Sequence, residues 1–231
     1  MTSLNGLSVL VSGATGGLGA PISLRLAQHG AQLTLLGRDI RRLQALGLDA
    51  ALATGDLREP ETAKQAAAAA IAAYGRVDGL VVASGVVAFG PAGDLPDETL
   101  VDLFLINTLA PVRLLQAVLP HLTASARDGR SPFVMHLSAV VAEQPTAGMA
   151  AYSASKAALT AYDAAAGREL RRAGIRLVDA RPPHTETGLA SRPLAGTAPP
   201  LPPGLHPDTV ATRLIAALID DERDLPSTSF S

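Results

Sequence analysis

A chain of 231 residues with 48% hydrophobic content can bury the core of one domain, and its net charge of −2, from Lys+Arg 19 against Asp+Glu 21, lacks the basic excess that nucleic-acid binding requires. Cysteine is absent and the five histidines show no ligand spacing, which excludes disulfides, a thiol nucleophile and an expected metal site, so chemistry must come from a cofactor or ordinary side chains. Aromatic residues make up only 3% and tryptophan is missing, leaving Ala, Leu, Val and Ile to fill the core, as suits helices layered on a buried sheet.

In chain order, the first residues carry no basic leader and the apolar run 7–11 is too short for a signal sequence; it reads as the first strand, and a cytoplasmic location is expected. Strands are predicted at 7–11, 32–36, 50–53, 79–83, 132–137 and 175–180, with helices at 17–29, 39–46, 60–74, 96–108, 110–126, 150–173 and 207–219. The most apolar window, 64–74, follows Glu59-Pro60-Glu61, a helix-start signal, and is too short to cross a bilayer, so no membrane partner is expected. The alternation describes repeated βα units feeding a parallel sheet, with strands such as Leu80-Val81-Val82-Ala83 apolar enough to be buried on both faces. Residues 182–207 form an irregular stretch rich in Pro, Gly and Thr that reads as a substrate loop, with a polyproline ligand as the alternative.

The turn between the first strand and first helix reads Ser12-Gly13-Ala14-Thr15-Gly16-Gly17-Leu18-Gly19. Gly13, Gly17 and Gly19 stand where backbone must turn sharply and approach a pyrophosphate without an obstructing Cβ, although a plain tight turn has the same needs. At the end of the second strand the chain reads Gly37-Arg38-Asp39. A guanidinium there suits the 2′-phosphate of NADP, so NADP(H) is preferred over NAD(H), with Arg41 or Arg42 as helpers. The alternative makes Arg38 a solvated helix-start residue and Asp39 an N-cap. Further on, Tyr152 and Lys156 lie four residues apart, on one face of a helix, in a chain with two lysines. An adjacent ammonium lowers the pKa of a phenol and so fits it for proton transfer near neutrality; the alternative is an exposed helix pair.

The G-x-x-x-G-x-G turn with the later Tyr-x-x-x-Lys resembles the short-chain dehydrogenase/reductase family, and the resemblance runs from Leu7 to about Thr187. It implies an α/β fold: a single doubly wound (Rossmann) domain over 1–231, its parallel sheet flanked by helices on both faces. It implies cofactor contacts from Gly13, Thr15, Gly16, Gly17, Leu18, Gly19, Arg38, Asp56, Leu57, Gly85, Tyr152, Lys156, Pro182 and Thr187. It further implies Tyr152 as general acid/base, Lys156 as its support and ribose anchor, and Asn107, in Ile106-Asn107-Thr108, as the residue positioning a water of the proton relay; a capping or turn role is the alternative for Asn107.

The family's substrate-orienting serine falls on Ala139, with Ser138 one position early and retained as a catalytic candidate if the strand end bulges. The asparagines after the fourth strand become Val82-Ala83-Ser84-Gly85, and Pro182-Pro183-His184 follows the sixth strand, making His184 a candidate replacement donor or an exposed loop residue. No glycine-containing closing strand is evident after 219. The expected activity is NADP(H)-dependent oxidoreduction of a small apolar ketone or secondary alcohol, in a homo-oligomer, dimer or tetramer. The alternatives are a weakened nucleotide-binding sensor or assembly protein and a non-redox proton-transfer enzyme.

Overall fold

The structure, a computed structural model, describes residues 1–230. Strands β1 (Ser8–Ser12), β2 (Gln32–Gly37), β3 (Ala50–Thr54), β4 (Gly79–Val82), β5 (Phe133–Leu137), β6 (Arg176–Ala180) and β7 (Asp224–Leu225) make one parallel sheet in the order β3-β2-β1-β4-β5-β6-β7. The chain runs outward from β1 through β2 to β3 and then crosses back to place β4 on the other side of β1. The crevice above the carboxyl ends of β1 and β4 is therefore the place where a sheet of this kind takes its ligand.

Side chains alternate along each strand and feed two cores. Val9 and Val11 of β1 face the layer of α1 (Gly19–Gln28), α2 (Ile40–Gln44) and α7 (Pro207–Ile219), while Leu10 faces α3 (Pro60–Tyr74), α5 (Ala110–Arg127) and α6 (Ala150–Arg172). Phe133, among the largest fully buried side chains, lies over Gly79 of β4, where a Cβ would come within 2.6 Å of its ring. Buried Arg176 donates to the carbonyls of Ala217 and Leu218, at 3.1 and 2.7 Å, satisfying the last turn of α7. A smaller core of Val87, Ala88, Phe89, Leu103, Val141 and Tyr152 packs beneath the irregular segment after β6.

The six predicted strands are present to within a residue or two, and three differences carry information. The first helix starts at Gly19 because residues 16–18 are still part of the glycine turn. The helix expected over 96–108 ends as α4 (Asp97–Phe104), passes through a π-helical turn, Leu105–Leu109, and continues as α5. The closing strand expected to be absent exists in reduced form: β7 pairs with β6 through Asp179↔Asp224 and Ala180↔Leu225, and Phe230 beyond it is buried. The continuous helical rod Asp97–Arg127 contains an 18-residue stretch with a mean hydropathy of 1.5 and has the length to cross a bilayer, but Leu103, Leu114, Leu115, Val118 and Leu122 on it are buried inside the fold, as in a core helix.

Candidate active site

Above the carboxyl ends of β1 and β4 lies a cavity of about 680 Å³, bounded by the glycine turn, the ends of β2, β4 and β5, the start of α6 and the segment after β6. Its floor is made by close backbone approach. Gly13 has φ +73°, and a Cβ on it would lie 2.7 Å from the Ser84 nitrogen; a Cβ on Gly19 would lie 2.0 Å from the Gly13 carbonyl oxygen. At Gly17 a Cβ would come within 2.5 Å of Thr187, so the turn and the loop after β6 close on each other at that glycine. The N-terminus of α1 has no side-chain cap; its Ala20 N–H donates to the Gly16 carbonyl at 3.0 Å, its Ile22 N–H to the Leu18 carbonyl at 3.0 Å, and Pro21 has no N–H, so what the helix offers an anion there is the positive end of its dipole. A cradle that a Cβ would fill, beside an uncapped ten-residue helix, fits a pyrophosphate.

Thr15, Gly16, Leu18, Leu57, Gly85 and Pro182 also line this cavity. Gly19 is not among the lining residues; it packs behind the turn. Arg38 stands at the mouth, and Arg42 beside it donates to the Thr15 carbonyl oxygen at 3.2 Å. Asp39 caps α2, accepting from the Arg41 and Arg42 backbone N–H groups at 2.8 and 3.3 Å, as the plain reading expects. Asp56 is not free to reach a base on its own: it accepts from the Arg58 backbone N–H at 2.9 Å and pairs with the Arg58 guanidinium, which binds Asp102 through two contacts of 2.7 Å. That pairing holds the Asp102 carboxyl below its ordinary range. Sequence reasoning missed Arg58, whose signal was available in its position two residues after Asp56.

At the other end, Tyr152 and Lys156 project from one face of α6 into the cavity. Burial pushes the Tyr152 phenol up to about 12, opposite to the expected lowering by a neighbouring ammonium. Burial also drives Lys156 down to about 8, against the opposing pull of Asp179 and Asp163, and its ammonium donates to the Leu137 carbonyl at 2.8 Å. Gly85 leaves the approach open: a Cβ there would stand 3.3 Å from Asn107 Oδ1 and 3.4 Å from Lys156 Nζ.

Asn107 sits in the π-turn, fully buried. Its Oδ1 accepts from the Val86 N–H at 2.9 Å, and its Nδ2 donates to the Val86 carbonyl at 2.9 Å and to Ser155 Oγ at 3.0 Å. The side chain ties the loop after β4 to α6, and both of its amide hydrogens are used in doing so. π-turns of this kind recur at functional sites.

Ser138 corrects an expectation. It borders the cavity but is buried, and its hydroxyl donates to Asp179 Oδ1 at 2.5 Å, on the neighbouring strand. There is no bulge to turn it round: the β5–β6 register runs unbroken to Leu137↔Ala180, and the Ser138 N–H continues the ladder to the Ala180 carbonyl at 2.9 Å. Ala139 follows in extended conformation and presents only a methyl group to the cavity. His184 lines the cavity and its Nε2 is 3.4 Å from Glu186.

Residues 8–195 match the family described as short chain dehydrogenase. The chain is 30% identical over 200 residues to a short chain dehydrogenase of Pseudocercospora fijiensis, a stretch covering 81% of this chain and 62% of that protein, so it spans less than two thirds of that relative's length. Its fold is similar to that of a 3-ketoacyl-(acyl-carrier-protein) reductase from Brucella melitensis complexed with NADH, with TM-score 0.86 and 22% identity, covering 99% of this chain and 100% of that one. It is also similar to a metagenomic short-chain oxidoreductase in complex with NADP, with TM-score 0.79 and 28% identity, covering 97% and 98% of the two chains.

Proposed function

Since the chain belongs to the short chain dehydrogenase family, we propose that it is an NADP(H)-preferring oxidoreductase acting on a small apolar ketone or secondary alcohol. The observation that carries this reading is the convergence of Tyr152, Lys156 and Gly85 with the glycine turn in one cavity. A bound nicotinamide supplies the hydride donor or acceptor. The turn of Gly13 to Gly19 and the start of α1 would hold the pyrophosphate, Arg38 and Arg42 the 2′-phosphate, Asp56 and Leu57 the adenine side, and Pro182 and Thr187 the nicotinamide side.

In the reducing direction Tyr152 donates its proton to the substrate oxygen. A phenol held near 12 carries that proton throughout the neutral range. Once it has donated, the phenolate is stabilised by the Lys156 ammonium, which would also hold the nicotinamide ribose. Asn107 acts as a positioning residue, fixing the loop of Gly85 and Val86 against α6. Val140, Val141, Met149, Leu189 and Leu194 give the substrate end apolar walls.

The test is NADPH-linked turnover of a ketone panel across pH. Wild type is expected to reduce at least one ketone and to lose activity as pH rises through about 8, because Lys156 is charged below that value and neutral above it. Tyr152→Phe should lower turnover by about 10²–10⁴-fold with nucleotide affinity retained. Equal turnover by Tyr152→Phe removes the phenol from the reaction. The commitment of Ser138 to Asp179 favours one further reading, a nucleotide-binding relative with weakened turnover.

A further inference from the structure

Beneath Lys156, α6 packs on β5 and β6 through charged side chains that the proposed reaction does not use. Lys156 is 4% exposed. Two turns further along α6, Asp163 is 3% exposed and its Oδ1 lies 2.7 Å from Nδ1 of fully buried His136 on β5. The register partner of His136 on β6 is Asp179, 6% exposed, which accepts from Ser138 Oγ at 2.5 Å and from the Arg181 guanidinium at 2.6 Å. Arg181 is shared further, with Glu143 at 2.5 Å and Asp224 at 2.6 Å.

Two carboxylates of this layer are buried and act on Lys156 through their charge: Asp179 shares the Arg181 guanidinium with the more exposed Glu143 and Asp224, and Asp163 is paired with the imidazole of His136. Arg168, Arg171 and Arg223 stand on the far side, around a second cavity, and a buried charge is tolerated only when it is compensated. Asp163 Oδ2 and Thr160 Oγ1 have no protein partner, and both residues line this second cavity of about 490 Å³ with Asp179 and Arg181. Burial pushes the Asp163 carboxyl above its ordinary range, and His136 and the Lys156 charge pull it back down. The groups that meet Lys156 are Asp163 from its own helix and Asp179 from β6 through their charge, the Leu137 carbonyl from β5 through a hydrogen bond, and Gly85 from the loop after β4.

We propose that Asp163 and Asp179 are positioning residues that keep buried Lys156 protonated, acting as its counter-charge from behind the cofactor cavity. This gives the displaced Ser138 a place as well: its hydroxyl holds Asp179 in the layer below the site instead of facing the substrate. The importance of this charge for turnover rests on the function proposed above; its existence does not.

The chain's two lysines, Lys64 and Lys156, make a direct test possible. In full-length protein labelled with ¹³Cε-lysine, NMR titration yields two signals, and Lys64→Arg assigns them. Lys156 is expected to titrate near 8. Asp163→Asn keeps an acceptor for His136 but removes the charge, and should lower the Lys156 midpoint by about one unit, leaving Lys64 unmoved; Asp163→Glu should restore it. Asp179→Asn, read in the same way, is the second variant. An unchanged midpoint in either folded variant overturns the proposal, and so does a wild-type midpoint below about 6, the range of buried lysines without compensation. A shifted midpoint in a protein that reduces no ketone would leave this inference standing and remove the proposed function.

Discussion

Ala139 and Ser138 set the expected weakness of this site. With the Ser138 hydroxyl bound to Asp179, the substrate oxygen meets Tyr152 but no second side-chain donor from the end of β5. Losing one such donor costs about 10²–10³ in kcat where it has been removed from comparable sites. Ala139→Ser should therefore raise kcat for ketone reduction by at least about tenfold, with NADPH affinity unchanged; equal or lower kcat would show that the substrate brings its own donor or that His184 supplies one. The sequence made this departure visible, because a one-residue displacement on a strand reverses the side chain. It did not reveal where the serine goes, since Asp179 is distant in the chain and meets it only through the β5–β6 pairing. Tyr152 and Lys156 stood out in the sequence only once their spacing was joined to the glycine turn, and their electrostatics were not readable: i, i+4 spacing implies a lowered phenol pKa, and burial sends it the other way.

At the scale of elements, the glycine turn separates two kinds of need. Gly13 requires glycine for its own conformation, φ +73°, and because the backbone at Ser84 is in the way. Gly17 requires it because Thr187 of the overlying loop touches the same space. Gly13→Ala is accordingly expected to cost about 1–3 kcal/mol of stability, a fall of several degrees in Tm at this chain length. Gly17→Ala, whose Cβ would meet the Thr187 Cα and carbonyl oxygen at 2.6 and 2.7 Å, should displace the loop, lowering Tm by less than Gly13→Ala because Gly17 has no positive φ, and weaken NADPH binding by at least about tenfold. Thermal melts and nucleotide titrations on both variants decide it, and matching losses of stability would refute the distinction. Helices and buried strands were readable from apolar period and from Gly, Pro and Asp at their ends. The π-turn was not, because Leu105-Ile106-Asn107-Thr108-Leu109 has an ordinary helical pattern, and the partners of Asn107 in that turn, Val86 and Ser155, are distant in the chain. β7 was missed because two residues carry no periodicity; Arg181, whose backbone N–H donates to the Leu225 carbonyl, ties it to the sheet.

Across the whole molecule, the parallel sheet brings distant segments to one crevice: the turn after β1, the mouth beside β2, the ends of β4 and β5, the start of α6 and the loop after β6. The composition that excluded metal-thiolate and nucleic-acid chemistry thus leads to a cavity whose charged residues divide by place. Arg38, Arg42, Asp56 and Arg58 stand at one end and Lys156 at the other, and the substrate walls are mostly apolar, with Arg192 tied to the Gly188 and Thr187 carbonyls of the loop after β6. The central claim is that this cavity takes a phosphorylated nicotinamide dinucleotide, and fluorescence titration of the protein and of Arg38→Asp with NADPH and NADH tests it most directly. A charge-assisted pair with the 2′-phosphate is worth about 1.5–3 kcal/mol, so the wild type should bind NADPH at least about tenfold more tightly than NADH, and Arg38→Asp should reverse or abolish that preference. Binding of neither nucleotide at millimolar concentration, or an NADPH-to-NADH ratio that Arg38→Asp leaves untouched, would contradict the account.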